Sequence, residues 1–285
     1  MTAETTAADT RGGDASGAAG ADGGPPHDEG DVRMTIWEHL AELRGRIVKA
    51  AIALGIGAVA AWSFRIQILD WLIKPYEAAW KKHFSTPLEL QTLAPADAFL
   101  GYLQLSIVTG AICAAPVVFY QLWAFISPGL YKKERRLIVP FVVFSTTLFL
   151  SGVAFAYYVA FPFTFNYFLS LVGELDTAGT VLTQKVTLGF FLDFTTRFLL
   201  AFGCVFELPL FIAFLVIAGL VTPRQLVKFS RWAVLLAFIV GAIVTPGPEV
   251  TSQLAVSGAL IGLYFFSIVI AFALRPRAKK DDTAA

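Results

Sequence analysis

Charge is scarce in this chain. Asp, Glu, Lys and Arg make up 15% of its 285 residues, against roughly 25% in an ordinary soluble domain. A soluble protein of this size would have too little polar material to cover its surface, which excludes an ordinary cytosolic enzyme or DNA-binding domain. Neither sign dominates: the formal net charge is +1, so nothing in the balance points to nucleic acid. Cysteine is nearly absent. Cys113 and Cys204 both lie in long apolar runs, and a disulfide framework is not expected. The three histidines, His27, His39 and His83, lie in different regions, and no HExxH pair offers a zinc site. Also missing are a GxxxxGK phosphate loop, a GxSxG serine and a facing pair of intramembrane aspartates. No constellation for an enzyme, a metal or a cofactor is left.

Apolar residues are what the chain has in abundance. They make up 56% of it, with a mean hydropathy of +0.68, and a bilayer is the simplest surrounding that can accept them. Six long runs follow one another: Ile47–Phe64, Ala98–Ile126, Leu137–Phe168, Phe198–Leu220, Trp232–Thr245 and Leu254–Leu274. A spanning helix needs about 20 apolar residues for a core of about 30 Å. The expected fold is therefore an all-α polytopic membrane protein with six transmembrane helices. No series of segments alternates with period two, which argues against a β-barrel. The fifth run is the anomaly. Its 14 residues cover about 21 Å as a helix, so it is expected to be deeply packed in protein, to thin the membrane locally or to end early.

Three regions divide the chain. Residues 1–33, rich in Ala, Gly, Thr, Asp and Pro, bury too little apolar surface to order themselves and read as a disordered tail. They lack the apolar stretch of a signal peptide. Residues 34–276 form the membrane domain, and 277–285 a charged tail. Lys and Arg set the orientation. Arg33, Arg44 and Arg46 precede the first run and Lys49 stands at its start, and Lys132, Lys133, Arg135 and Arg136 follow the second. Arg224, Lys228 and Arg231 follow the fourth, and Arg275, Arg277, Lys279 and Lys280 the sixth. The opposite side carries only Arg65, Lys74, Lys81, Lys82, Lys185 and Arg197. The richer side is expected to be cytoplasmic, with both termini inside. The two longer loops, roughly 65–97 and 169–197, then face out and form interfacial caps, because they keep amphipathic pieces such as Ile66, Leu69, Trp71 and Leu72.

A few polar residues interrupt this pattern. IWEHLAELRGR, Ile36 to Arg46, reads as a helix with Ile36, Leu40, Leu43 and Ile47 on one face and His39, Glu42 and Arg46 on another. An interfacial helix with a Glu42–Arg46 ion pair explains it. WAFISPGLYKKERR, Trp123 to Arg136, places one acid, Glu134, among four bases. Glu134 either balances local charge or aims its carboxylate at an incoming guanidinium, which it would bind bidentately. Glu207, in FGCVFELPLF, stands near the middle of the fourth run. An ionisable group there is costly and faces a partner or a cavity, unless it serves only to satisfy a carbonyl freed by Pro209. TPGPEVTSQ ends the fifth run in a rigid turn containing Pro246, Pro248 and Glu249.

Taken together, HLAELRGR, YQLWAFISPGLYKKERR, FGCVFELPL and TPGPEVTSQ, in this order and spacing over about residues 34 to 276, resemble the twin-arginine translocase subunit TatC family. The last turn departs from the family pattern by carrying Glu249 where Asp is usual and by one extra residue. The resemblance implies a receptor in the plasma (inner) membrane for the twin-arginine signal peptides of folded substrates. It also implies assembly with TatA- and TatB-type single-span proteins and with further copies of itself, transport driven by the protonmotive force, and no cofactor. By motif position, Glu42 and Glu134 would meet the paired arginines. His39, Leu40, Leu43, Arg44, Phe125 and Pro128 would shape that surface, and Glu207 would dock a partner helix. The alternatives are a small-solute secondary transporter, for which neither an internal repeat nor convergent midplane charge is seen in spans one to three, and a structural scaffold.

Overall fold

The structure, a computed structural model, describes residues 36–126, 138–177, 185–244 and 250–273. Six of its helical stretches are long and apolar enough to cross a membrane. The first is α1 (Ile36–Ser63), followed by a shorter helix, α2 (Arg65–His83), and a two-residue strand, β1 (Leu90–Gln91). Next come α3 (Pro95–Ile126), then α4 (Ile138–Phe155) and α5 (Phe161–Thr177) joined by a π-helical turn at Ala156–Ala160. After β2 (Val186–Thr187), the fourth span is built from α6 (Leu188–Val205) and α7 (Leu208–Ile217), and α8 (Pro223–Val244) and α9 (Val250–Ala273) complete the described chain. The tails 1–33 and 277–285, together with Pro128, Glu134, Pro246, Pro248 and Glu249, lie outside the described residues.

Several boundaries differ from the apolar runs, each for a physical reason. α1 merges the amphipathic segment with the first span in one helix of 28 residues, about 42 Å long. The fourth span starts ten residues before its apolar run because its polar interruptions are neutralised. Asp193 pairs with Arg197 one turn on at 2.8 Å, and Gln104 of α3 donates to Asp193 at 3.3 Å and to Thr196 at 2.9 Å. Arg197 therefore sits in a helix and not in the loop expected at 169–197. The short fifth run is likewise part of a longer helix. Thr222 and Gln225 form a reciprocal N-terminal cap, with Gln225 Oε1 accepting from the Thr222 backbone N–H at 2.8 Å and Pro223 in the first helical position. Helix α8 thus has 22 residues, about 33 Å, and needs no thinned membrane. Nor is it deeply packed, since Leu235, Leu236, Ile239 and Ile243 are exposed.

Of the two connections expected as interfacial caps, 65–97 contains the packed helix α2 and the strand β1. Helix α2 buries Leu72, Tyr76, Ala79 and Trp80 against α5 and α6. β1 and β2 tie the two connections together as a parallel pair, Leu90 opposite Val186 and Gln91 opposite Thr187. Where α2 meets the π-helical turn, Trp71 stacks on Tyr157 at 3.7 Å, and the Tyr157 hydroxyl donates to the Trp71 carbonyl at 2.7 Å. The core is an aromatic column between α5 and α6, with Phe161, Phe165, Phe194 and Phe198 in mutual contact. The last two helices are held by side chains of α9 that reach carbonyls of α8, Gln253 to Phe238 at 3.0 Å and Tyr264 to Leu226 at 2.9 Å.

Helices α1 and α3 approach through glycines. A Cβ on Gly57 would stand 2.7 Å from the Gly110 carbonyl oxygen, and one on Gly110 would land on the Ala58 backbone. Since the obstacle is backbone, it cannot rotate away. Gly110→Ala is expected to lower the stability of the detergent-solubilised protein by about 1–3 kcal/mol, the usual cost of overpacking, seen as a lower thermal midpoint. Gly55→Ala, with nothing within 4 Å, is expected to leave it unchanged. Tyr76 allows a second check. Burial among Trp80, Phe165 and Phe191 pushes its hydroxyl up to about 12 from the usual 10.0. The unfolded chain then releases this proton first, so the contribution of Tyr76 is intact below pH 10 and is lost as pH rises toward 12. Tyr76→Phe is expected to flatten the fall in stability over that window in pH-resolved unfolding.

Candidate functional site

The residues singled out in the first helix meet the end of α3. His39 lies flat against Phe125, ring centroids 4.3 Å apart and 13° from parallel. One turn on, Glu42 accepts from Arg46 Nε at 3.0 Å through Oε1, and Arg46 Nη2 reaches the same oxygen. The expected ion pair is thus formed, and both side chains are 22% exposed. The second oxygen is different. Glu42 Oε2 is buried without a hydrogen-bond partner, and His39 Nδ1 stands 3.8 Å away, too far to serve as one. The carboxylate is therefore fixed by Arg46 on one side and open to a further donor on the other.

The helix is turned opposite to what a water-soluble amphipathic helix would do. His39, Glu42, Leu43 and Arg46 are half-buried, whereas Leu40 and Ile47 are exposed. Its polar face turns inward, His39 against Phe125 of α3, and Leu40 and Ile47 of its apolar face look outward while Leu43 is half-buried, an arrangement a bilayer favours. Arg44 is exposed beside this cluster. Of the expected surface, His39, Glu42 and Phe125 are in one contact group, and Leu40, Leu43 and Arg44 lie on the same two helical turns. Pro128 and Glu134 fall outside the described residues.

Glu207 lies elsewhere, at the break between α6 and α7. Pro209 has no N–H to give the carbonyl four residues earlier, and the helix tightens there, with the Glu207 N–H bonding Cys204 at 3.1 Å. The side chain makes its hydrogen bond with Ser145 of α4. That hydroxyl in turn accepts from Trp123 Nε1 of α3 at 2.7 Å. Three spans thus hold one carboxyl group, whose Oε1 is buried and has no hydrogen-bond partner. Trp123 and Ser145 were not singled out by sequence reasoning. A serine in the apolar third run was the available signal, but its partner lies 62 positions away and spacing could not supply it. Among the described residues, no three His, Cys, Asp or Glu side chains gather as metal ligands would.

Comparison with known proteins identifies the family. A family model described as Sec-independent protein translocase protein (TatC) matches residues 38–259. The Sec-independent protein translocase protein TatC of Desulforapulum autotrophicum is 39% identical over 251 residues, 87% of this chain and 88% of that protein. Its counterpart in Aquifex aeolicus is 33% identical over 248 residues, 87% of this chain and 98% of that one. A crystal structure described as the twin arginine translocase receptor TatC matches with a TM-score of 0.73 at 32% identity, covering 83% of this chain and 99% of the other. The multi-pass fold, the cluster at the start of α1 and these matches lead to one conclusion: the chain belongs to the TatC family of Sec-independent protein translocase proteins.

Proposed function

We propose that this translocase protein is the receptor for twin-arginine signal peptides, with Glu42 and Glu134 meeting the two guanidinium groups. The observation that carries the reading is the open, buried oxygen of Glu42. A carboxylate left one donor short is satisfied by a planar donor such as guanidinium, and the neighbouring Arg46 already fixes its orientation. The His39–Phe125 stack supplies a flat wall beside it, with Leu40, Leu43, Arg44 and Pro128 completing the surface. The bases around Glu134 would repel a cationic segment that failed to engage both acids, which favours the paired arginines over poorer matches. The excess of Lys and Arg on this side supports a cytoplasmic location for this end of the bundle and for both termini, in a plasma (inner) membrane.

In the same reading Glu207 docks a single-span TatA- or TatB-type partner, further copies of the chain complete the assembly, and the protonmotive force drives transport. Support for the docking role comes from the unpartnered Oε1 of Glu207, since hydrogen bonds between spans are worth about 1 kcal/mol and can position a helix that packing already holds nearby. A small-solute transporter is not favoured.

Two experiments test these roles. Glu42→Gln and Glu134→Gln are each expected to weaken binding of a twin-arginine peptide by about 1.5–3 kcal/mol, the range for a hydrogen bond to a charged group, measured by crosslinking of RR and KK signal peptides. Unchanged crosslinking with intact RR preference would remove both acids from recognition. For Glu207, the Gln variant keeps a donor and is expected to retain crosslinks to the single-span partner. The Leu variant is expected to lose them while still binding signal peptide. A folded Glu207→Leu protein with intact partner crosslinks would end the docking role.

A further inference from the structure

A groove of about 660 Å³ opens between the C-terminal end of α2 and the face of α5 that carries Phe163, Asn166, Tyr167 and Ser170. It lies at the opposite end of the bundle from Glu42 and is separate from Glu207. Its lining changes character along α5. Pro162 and the exposed Phe163 come first, then the amide, phenol and hydroxyl one and two turns on. This is the polarity order of a phospholipid read from its chains to its headgroup, and a Tyr at the polar end suits a membrane–water boundary.

The basic side chains in the lining are Lys82 and His83, both exposed. Their helix makes the contrast informative. Lys74 faces Asp70 at 3.9 Å and Lys81 is bonded to Glu77 at 2.6 Å, whereas among the described residues Lys82 has no carboxylate partner. Ser170 spends its hydroxyl hydrogen on the Tyr167 carbonyl at 2.7 Å, and Asn166 spends one of its two amide hydrogens on the Pro162 carbonyl at 2.6 Å. The Lys82 ammonium, the His83 ring, the Tyr167 hydroxyl and the second Asn166 N–H are then donors the groove has to offer. The acidic positions Glu174 and Asp176 on α5 come a turn or more past Ser170.

We propose that this groove seats the phosphate headgroup of an anionic phospholipid, with Lys82 and His83 on the phosphate and Phe163 and Pro162 against the upper part of the acyl chains. The site fixes α2 and the third span to the leaflet at that end. It is independent of signal-peptide recognition.

The test uses the full chain reconstituted in bilayers of mixed phosphatidylglycerol and phosphatidylcholine, re-extracted in mild detergent, with retained lipid counted by native mass spectrometry. The wild-type protein is expected to keep phosphatidylglycerol in preference to phosphatidylcholine. The double substitution Lys82→Gln, His83→Gln is expected to cut that retention about fivefold or more, the effect of one cation near an anionic surface. Lys82→Arg should preserve it, which separates loss of charge from loss of fold. Lys81→Gln should also preserve it, because Glu77 already holds that ammonium. Equal retention by the double variant, or an equal loss in Lys81→Gln, would overturn the proposal in favour of diffuse surface charge. Displacement of the lipid by inorganic phosphate would overturn it in favour of a free-anion site.

Discussion

Polar groups carried into a bilayer must find their partners inside the protein, since no water is there to take them. The spans of this chain meet that demand pairwise. Gln104 crosses from α3 to Asp193 and Thr196 on α6, Trp123 to Ser145, and Gln253 and Tyr264 from α9 to carbonyls of α8. Each bond joins two different helices, so satisfying polar groups and fixing the arrangement of spans are the same act. The glycine contact of α1 with α3 does this without hydrogen bonds, by letting two backbones approach where a side chain would hold them apart.

The same rule bears on the two carboxyl groups of the roles proposed above. Among the described residues two carboxyl groups break it, Glu42 and Glu207 each keeping a buried oxygen without a hydrogen-bond partner, as the Thr146 hydroxyl also does. Both are otherwise firmly held, by Arg46 in one case and by the Trp123–Ser145 chain in the other. A group that is rigid and incompletely satisfied is prepared for a ligand, because the ordering cost has been met before the ligand arrives. One lies at the membrane end where α3 finishes, the other inside the fourth span.

Packing also reassigns faces that periodicity reads well. The pattern Ile36, Leu40, Leu43 and Ile47 marks an apolar face on α1, and such a face belongs in the core of a soluble protein. Here Leu40 and Ile47 are exposed and His39, Glu42 and Arg46 turn inward. With lipid outside, an apolar face has no reason to seek the interior, and the polar face is the one that needs partners. The exposed leucines and isoleucines of α8 follow the same logic.

Composition and run length alone determined that the chain crosses a membrane six times, because about 20 apolar residues in a row have one stable surrounding. Motif order determined the family, and the isolated acids Glu42, Glu134 and Glu207 stood out because a lone charge in such a setting needs a reason. What sequence could not determine was anything that depends on a partner far along the chain. The fourth span begins at Leu188 because Gln104 is there to bond Asp193, and hydropathy sees only the charge. The fifth reaches back to Pro223 because Thr222 and Gln225 cap it, a local signal that the search for apolar runs passes over. Which oxygen of Glu42 stays open, and that Ser145 and Trp123 hold Glu207, were decided by tertiary structure, since hydrogen bonds are set by distance and direction between helices and not by spacing within one.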